Sequence, residues 1–133
     1  MKYDVIIVGA GPGGIFSAYE LTKLNDKLKI AIFEAGNHLE KRKCPIDGKK
    51  IKSCIGCKTC AIMNGFGGAG AFSDGKYNIT NEFGGTLHEY VGKAEALELM
   101  HYVDKINVEN GGEGTKLYST ANSKIKTLCL QNG

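Results

Sequence analysis

Two short apolar runs and three longer, intermittently apolar stretches organise this chain. Val5-Ile6-Ile7-Val8 is an unbroken β-branched run, the pattern of a strand buried on both faces of a parallel sheet. Ile15, Ala18, Leu21 and Leu24 then recur at helical spacing and give way to polar Asn25-Asp26-Lys27. A second run, Ile30-Ala31-Ile32-Phe33, predicts another strand. Farther on, Leu97, Met100, Val103 and Ile106 share one face of a helix predicted over 95–110. Ile125, Leu128 and Cys129 do the same over 119–132, with Ser119 or Thr120 as N-cap and Gly133 as C-cap. Both faces read as core packing, Met100 and Cys129 included. Tyr77-Asn78-Ile79 predicts a short strand.

Strand, helix and strand in this order over residues 1–34 make a βαβ unit, so the fold class is α/β. Residues 35–62 form a lysine- and cysteine-rich insertion, 63–86 a second glycine-rich loop, and 87–133 a helical segment. A doubly wound sheet needs a third strand and usually more, and only two are convincing in 1–133. The expectation is therefore a Rossmann-like FAD/NAD(P)-binding domain in partial form, the N-terminal piece of a longer protein.

The connection between the first strand and helix carries the chemistry. Gly9-Ala10-Gly11-Pro12-Gly13-Gly14 follows Val8 directly, and Glu34 stands twenty residues beyond Gly14, at the end of the second apolar run. Gly9 permits a tight turn, Gly11 keeps side-chain bulk away from a pyrophosphate, and Gly14 lets the helix pack close to the strand. The helix N-terminus offers free N–H groups to phosphate, and Pro12 suits its first turn. In a right-handed βαβ unit, Glu34 faces the same crevice as the glycine turn. Its carboxylate can accept bonds from the hydroxyls of an adenosine ribose and would repel a 2′-phosphate, which argues against NADP.

Composition narrows the classes. The chain of 133 residues is 42% hydrophobic and 23% charged, a globular composition rather than a disordered one. A net charge of +3 does not by itself imply nucleic acid. No apolar run approaches the ~18 residues of a membrane span, and the first strand begins too early for a secretory signal. These features point to a cytoplasmic protein with neither membrane nor nucleic acid as partner. Its 19 glycines concentrate in the first turn and in 65–85, which indicates loops whose backbone lines a ligand.

The second of these loops, Gly65-Phe66-Gly67-Gly68-Ala69-Gly70-Ala71-Phe72-Ser73-Asp74-Gly75-Lys76, sets aromatic anchors among small residues. Flexible linkers lack regularly placed aromatics. Ser73 adds a hydroxyl and Lys76 a cation. Together with the stretch from Tyr3 to Glu34, the part of this loop from Gly67 to Lys76 resembles the N-terminal part of the FAD-dependent dehydrogenases, which are similar in turn to the flavoproteins of the fumarate reductase group. The resemblance implies that the turn from Gly9 to Gly14, with Ala10 and Pro12, holds the FAD pyrophosphate and that Glu34 holds the adenosine ribose. Gly67, Gly68, Ala69, Gly70 and Ser73 would approach the pyrophosphate and flavin. It also implies an oxidoreductase whose substrate or electron donor is a small molecule. An NAD-binding domain is the alternative, since Glu34 serves either ribose.

Cys54, Cys57 and Cys60 stand as C-x2-C-x2-C, preceded by Cys44-Pro45. Two-residue spacers bring thiolates together as tetrahedral ligation requires, so these four are candidates for zinc or an iron–sulfur cluster. Ferredoxin-type ligation places its Cys-Pro after the triplet, the reverse of the order here. A redox thiol pair and no metal at all remain open. Lys41, Arg42, Lys43, Lys49, Lys50, Lys52 and Lys58 surround the cysteines, and Arg42 is a candidate for contacting cofactor phosphate. A cysteine-rich electron-transfer or nucleic-acid module is the alternative of another class, although a second C-x2-C knuckle is missing. His38, His88 and His101 show no paired ligand spacing and read as surface or helix-face residues.

Overall fold

A computed structural model describes residues 2–82, 84–119 and 123–132. The chain divides into two compact units, Met1–Lys76 and Tyr77–Gly133. The boundary falls inside the glycine-rich stretch 63–86.

In the first unit, β1 (Val5–Val8) pairs in parallel with β2 (Ile30–Phe33), in the register Val5 to Ile30 through Val8 to Phe33. The right partners are fixed at both ends of this ladder. At its start the Asp4 amide donates to the Lys29 carbonyl (2.9 Å), while the Lys29 amide donates to Asp4 Oδ2 (2.8 Å). At its end the Gly9 amide donates to the Phe33 carbonyl (2.7 Å). Helix α1 (Pro12–Leu24) connects the strands, with Pro12 in the first turn as its missing donor allows. Gly14 sets how closely the helix lies on the sheet. A Cβ there would collide with the Gly9 carbonyl and meet Ile7 Cγ2 at 3.2 Å.

The strands are not buried on both faces. Val5 and Ile7 are half-buried, whereas Ile6 and Val8 stay exposed, Val8 at 87%. Alternation along a strand sends neighbouring side chains to opposite faces, and α1 covers one face only.

In the second unit, α2 (Leu87–Val91) leads through Gly92 into α3 (Lys93–Asn107), which ends in a wider π-type turn at Val108–Gly112. Ala96 and Ile106 are buried, and Leu97, Met100 and Val103 are half-buried on the expected face. Helix α4 (Lys124–Asn132) starts later than its pattern suggests. Ser123 precedes it, with Oγ 3.4 Å from the Lys126 amide, in the place expected for Ser119 or Thr120. Thr120 and Gly133 lie outside the described residues. Cys129 is exposed rather than core, as are Ile125 and Leu128. Tyr77-Asn78-Ile79 forms no strand; without a neighbouring strand to pair with, an extended apolar triplet has no ladder to join. Among the described residues, no helix is long and apolar enough to cross a membrane.

Candidate functional site

The glycine turn and Glu34 meet at the C-terminal ends of the two strands. Because β1 and β2 run parallel and in register, the residues after Val8 and after Phe33 emerge side by side. Glu34 bridges them: Oε2 accepts the Ala10 amide (2.7 Å) and Oε1 accepts the Gly36 amide (2.8 Å). These two backbone bonds, aided by the Gly65 amide and the Arg42 charge, hold the carboxyl below its usual value against an opposing desolvation effect. Glu34 is thus an anion clamped across the mouth of the turn. Each of its oxygens carries two lone pairs, so each retains capacity for a further donor such as a hydroxyl.

A hollow of about 340 Å³ opens at this place, walled by Ala10, Ile32, Glu34, Gly36, His38 and Phe66. Its chemistry is mixed in a useful way: one carboxylate, one imidazole, and the apolar surfaces of Ile32 and Phe66. His38 is exposed, as its sequence reading has it, and also belongs to this wall. Its signal is its place in the loop leaving β2, on the side where Glu34 emerges. Gly11 is the N-cap residue of α1, in extended conformation, and a Cβ on it would meet nothing within 4 Å. The turn therefore faces open space where a ligand's phosphates would need to approach.

The second glycine loop is docked on the first. The Gly67 amide donates to the Ala10 carbonyl (2.8 Å), and the Phe66 amide to the Asn37 carbonyl (3.2 Å). A Cβ on Gly68 would lie 3.2 Å from Gly11 Cα and 3.3 Å from Pro12 Cδ. Beyond it, Ala69–Phe72 forms a single 3-10 turn that begins at Ala69 and contains Gly70. Ser73 closes it, its Oγ accepting the Gly75 amide (3.0 Å). Lys76 pairs with exposed Asp74 (2.9 Å).

Arg42 has a different role from the one its charge suggests. It is 3% exposed, and its guanidinium donates to the carbonyls of Ala61 (2.9 Å), Ile62 (2.6 Å), Phe66 (2.7 Å) and Gly68 (2.9 Å). Its Cζ also lies 4.8 Å from the Phe72 ring centroid. With four of its N–H donors engaged on backbone, Arg42 organises the loop that faces the turn and is turned inward rather than toward a phosphate.

The four cysteines of the insertion border one hollow, described below. As they lie, no group of three or more His, Cys, Asp or Glu side chains among the described residues is arranged to hold a metal ion.

Residues 7–40 match the family model of an NAD(P)-binding Rossmann-like domain. The fold is Rossmann-like. The match runs from within β1 through the glycine turn, α1 and β2 to just beyond Glu34, so it covers the crevice and stops short of the cysteines and the second loop. It supports a dinucleotide-binding unit of the oxidoreductase type in this segment. No curated protein and no solved structure matches the chain.

Proposed function

We propose that the chain binds FAD as the nucleotide-binding part of a flavin-dependent oxidoreductase. The observation that carries this reading is the clamped Glu34 anion beside the open face of the glycine turn, in a hollow with apolar walls. Glu34 would accept hydroxyls of the adenosine ribose, Ile32 and Phe66 offer apolar surface to the adenine side, and Gly9 to Gly14 would present backbone N–H groups to the pyrophosphate. The docked second loop supports FAD through its resemblance to the corresponding loop of the FAD-dependent dehydrogenases. It brings Gly67, Gly68 and Gly70 up against Ala10, Gly11 and Pro12, with Ala69 and Ser73 in the same loop, and would give the pyrophosphate a second glycine-rich neighbour. When bound, FAD supplies the redox chemistry, and the residues of this chain hold, orient and shield it. The second reading, NAD, is favoured by the nature of the matched family and by Glu34, which suits any unphosphorylated ribose.

Titrating the protein with FAD, NAD, ADP and FMN distinguishes the two. FAD and ADP should bind and compete, NAD should bind at least tenfold more weakly than FAD, and FMN, lacking the adenosine, should not compete. Gly11→Val places its side chain in open space, so melting should be unchanged while FAD affinity falls more than tenfold. Stronger binding of NAD than of FAD would transfer the site to the second reading, and undiminished FAD affinity in Gly11→Val would remove FAD from this turn.

A further inference from the structure

Residues 43–60 have no helix, no strand and no buried side chain, yet the chain folds them back on themselves. Two features close this loop. At its base, Arg42 binds the carbonyls of Ala61 and Ile62, which brings the residues next to Cys44 and Cys60 together. At its tip, Asp47 Oδ1 accepts the amides of Lys49 and Ile51 (2.8 and 2.9 Å) while its own amide donates to the Ile51 carbonyl (3.1 Å), a turn that sends the chain back toward Cys54. Gly56, at a φ of +65°, then reverses the backbone between Cys54 and Cys57 in a conformation that other residues rarely adopt. As a result Cys44, Cys54, Cys57 and Cys60 all line one hollow of about 120 Å³, with Ile46 and Ile55 among its apolar walls. No disulfide joins any of them.

We propose that these four cysteines bind one thiophilic metal centre through four thiolates, either a single Zn2+ or a [4Fe–4S] cluster. A loop of this length with nothing buried lacks an apolar core, and a metal is a common substitute for one in small irregular segments. The thiols stand around the hollow without being gathered at its centre. That is expected without a cation, because thiolates repel one another and converge only on a metal placed between them, so that binding and ordering are coupled. Charge complements the site. Four thiolates around either centre leave a net negative charge, and the same loop carries Lys43, Lys49, Lys50, Lys52 and Lys58, with Asp47 the sole acid in 43–60. The inference is independent of which dinucleotide the glycine turn takes.

The fifth cysteine supplies the control. Cys129 is exposed and lies outside the loop, so it should titrate with a thiol reagent in native protein whatever the other four do. Protein purified anaerobically should carry either about one zinc per chain without colour, or about four irons and four sulfides with broad visible absorbance. In both cases one thiol should react natively, and all five after metal removal. Co2+ added to the metal-free parent should give the intense visible bands of tetrathiolate coordination. Cys57→Ser should lose most of the metal, and Cys129→Ser should keep all of it. Five freely titrating thiols, with no uptake of zinc, cobalt, or iron plus sulfide under anaerobic reconstitution, overturn the proposal. So does a metal content that Cys57→Ser leaves unchanged.

Discussion

Glu34 shows how a single side chain can serve the fold and the site together. Its two oxygens tie the loops after β1 and β2 through Ala10 and Gly36. These bonds favour the ionised form, so the folded-state value is depressed. A depressed carboxyl contributes stability that is present above the unfolded Glu range and is lost as pH falls through the folded value. Comparing melting temperatures of the parent and Glu34→Gln from neutral to acid pH checks this: the parent should be the more stable at neutral pH, and the gap should close below the ordinary Glu range. A gap that is constant with pH would mean that the carboxylate charge contributes nothing. The acid and its register were legible in the sequence, because strand length and helix length fix where Glu34 emerges. Its backbone partners were not, since they depend on the path of the loop through Gly36.

At the scale of elements, the strand–helix–strand order and the boundaries of β1, α1 and β2 were readable from β-branched runs and helical spacing. Those signals are local, and the parallel ladder they imply is the one the chain forms. The docking of the second glycine loop was not readable, because it depends on an arginine far away in sequence whose charge invites a phosphate-binding interpretation. Only the carbonyls gathered around Arg42 show its role. Packing of α1 on the sheet rests on Gly14. Gly14→Ala should lower stability by about 1–3 kcal/mol, the range for overpacking a tight contact, as read from denaturant unfolding. Little or no change would indicate that the helix can lift off the Gly9 carbonyl without penalty.

At the scale of the molecule, few of the described residues are buried: Ala10, Arg42, Gly65, Ala96 and Ile106 carry most of what core there is. The composition is globular, and the apolar residues that would make a core are present but displayed. Ile6, Val8, Phe33, Ile125, Leu128 and Leu130 are all exposed. Periodicity reports which face of an element is apolar, and it is silent on whether another layer covers that face. The protein should therefore enhance the fluorescence of an apolar-surface dye such as ANS while folded. The Ile6→Thr and Val8→Thr double variant should reduce that signal with a stability change within about 1 kcal/mol, since each surface substitution shifts stability by roughly 0.5 kcal/mol or less. An unchanged signal would place the dye elsewhere.

The burial of Arg42 also bears on local motion. One guanidinium holds the carbonyls of Ala61 and Ile62 beside the cysteine loop and those of Phe66 and Gly68 beside the glycine turn. Segments that share an anchor open together, so the amides of Phe66, Gly67 and Gly68 should exchange with solvent deuterium at one common rate rather than at three. Lysine in place of Arg42 preserves the charge but offers a point-like ammonium instead of a planar fork with five donors. Arg42→Lys should therefore speed exchange at all three amides by a similar factor, whereas unequal acceleration would mean that each amide opens on its own.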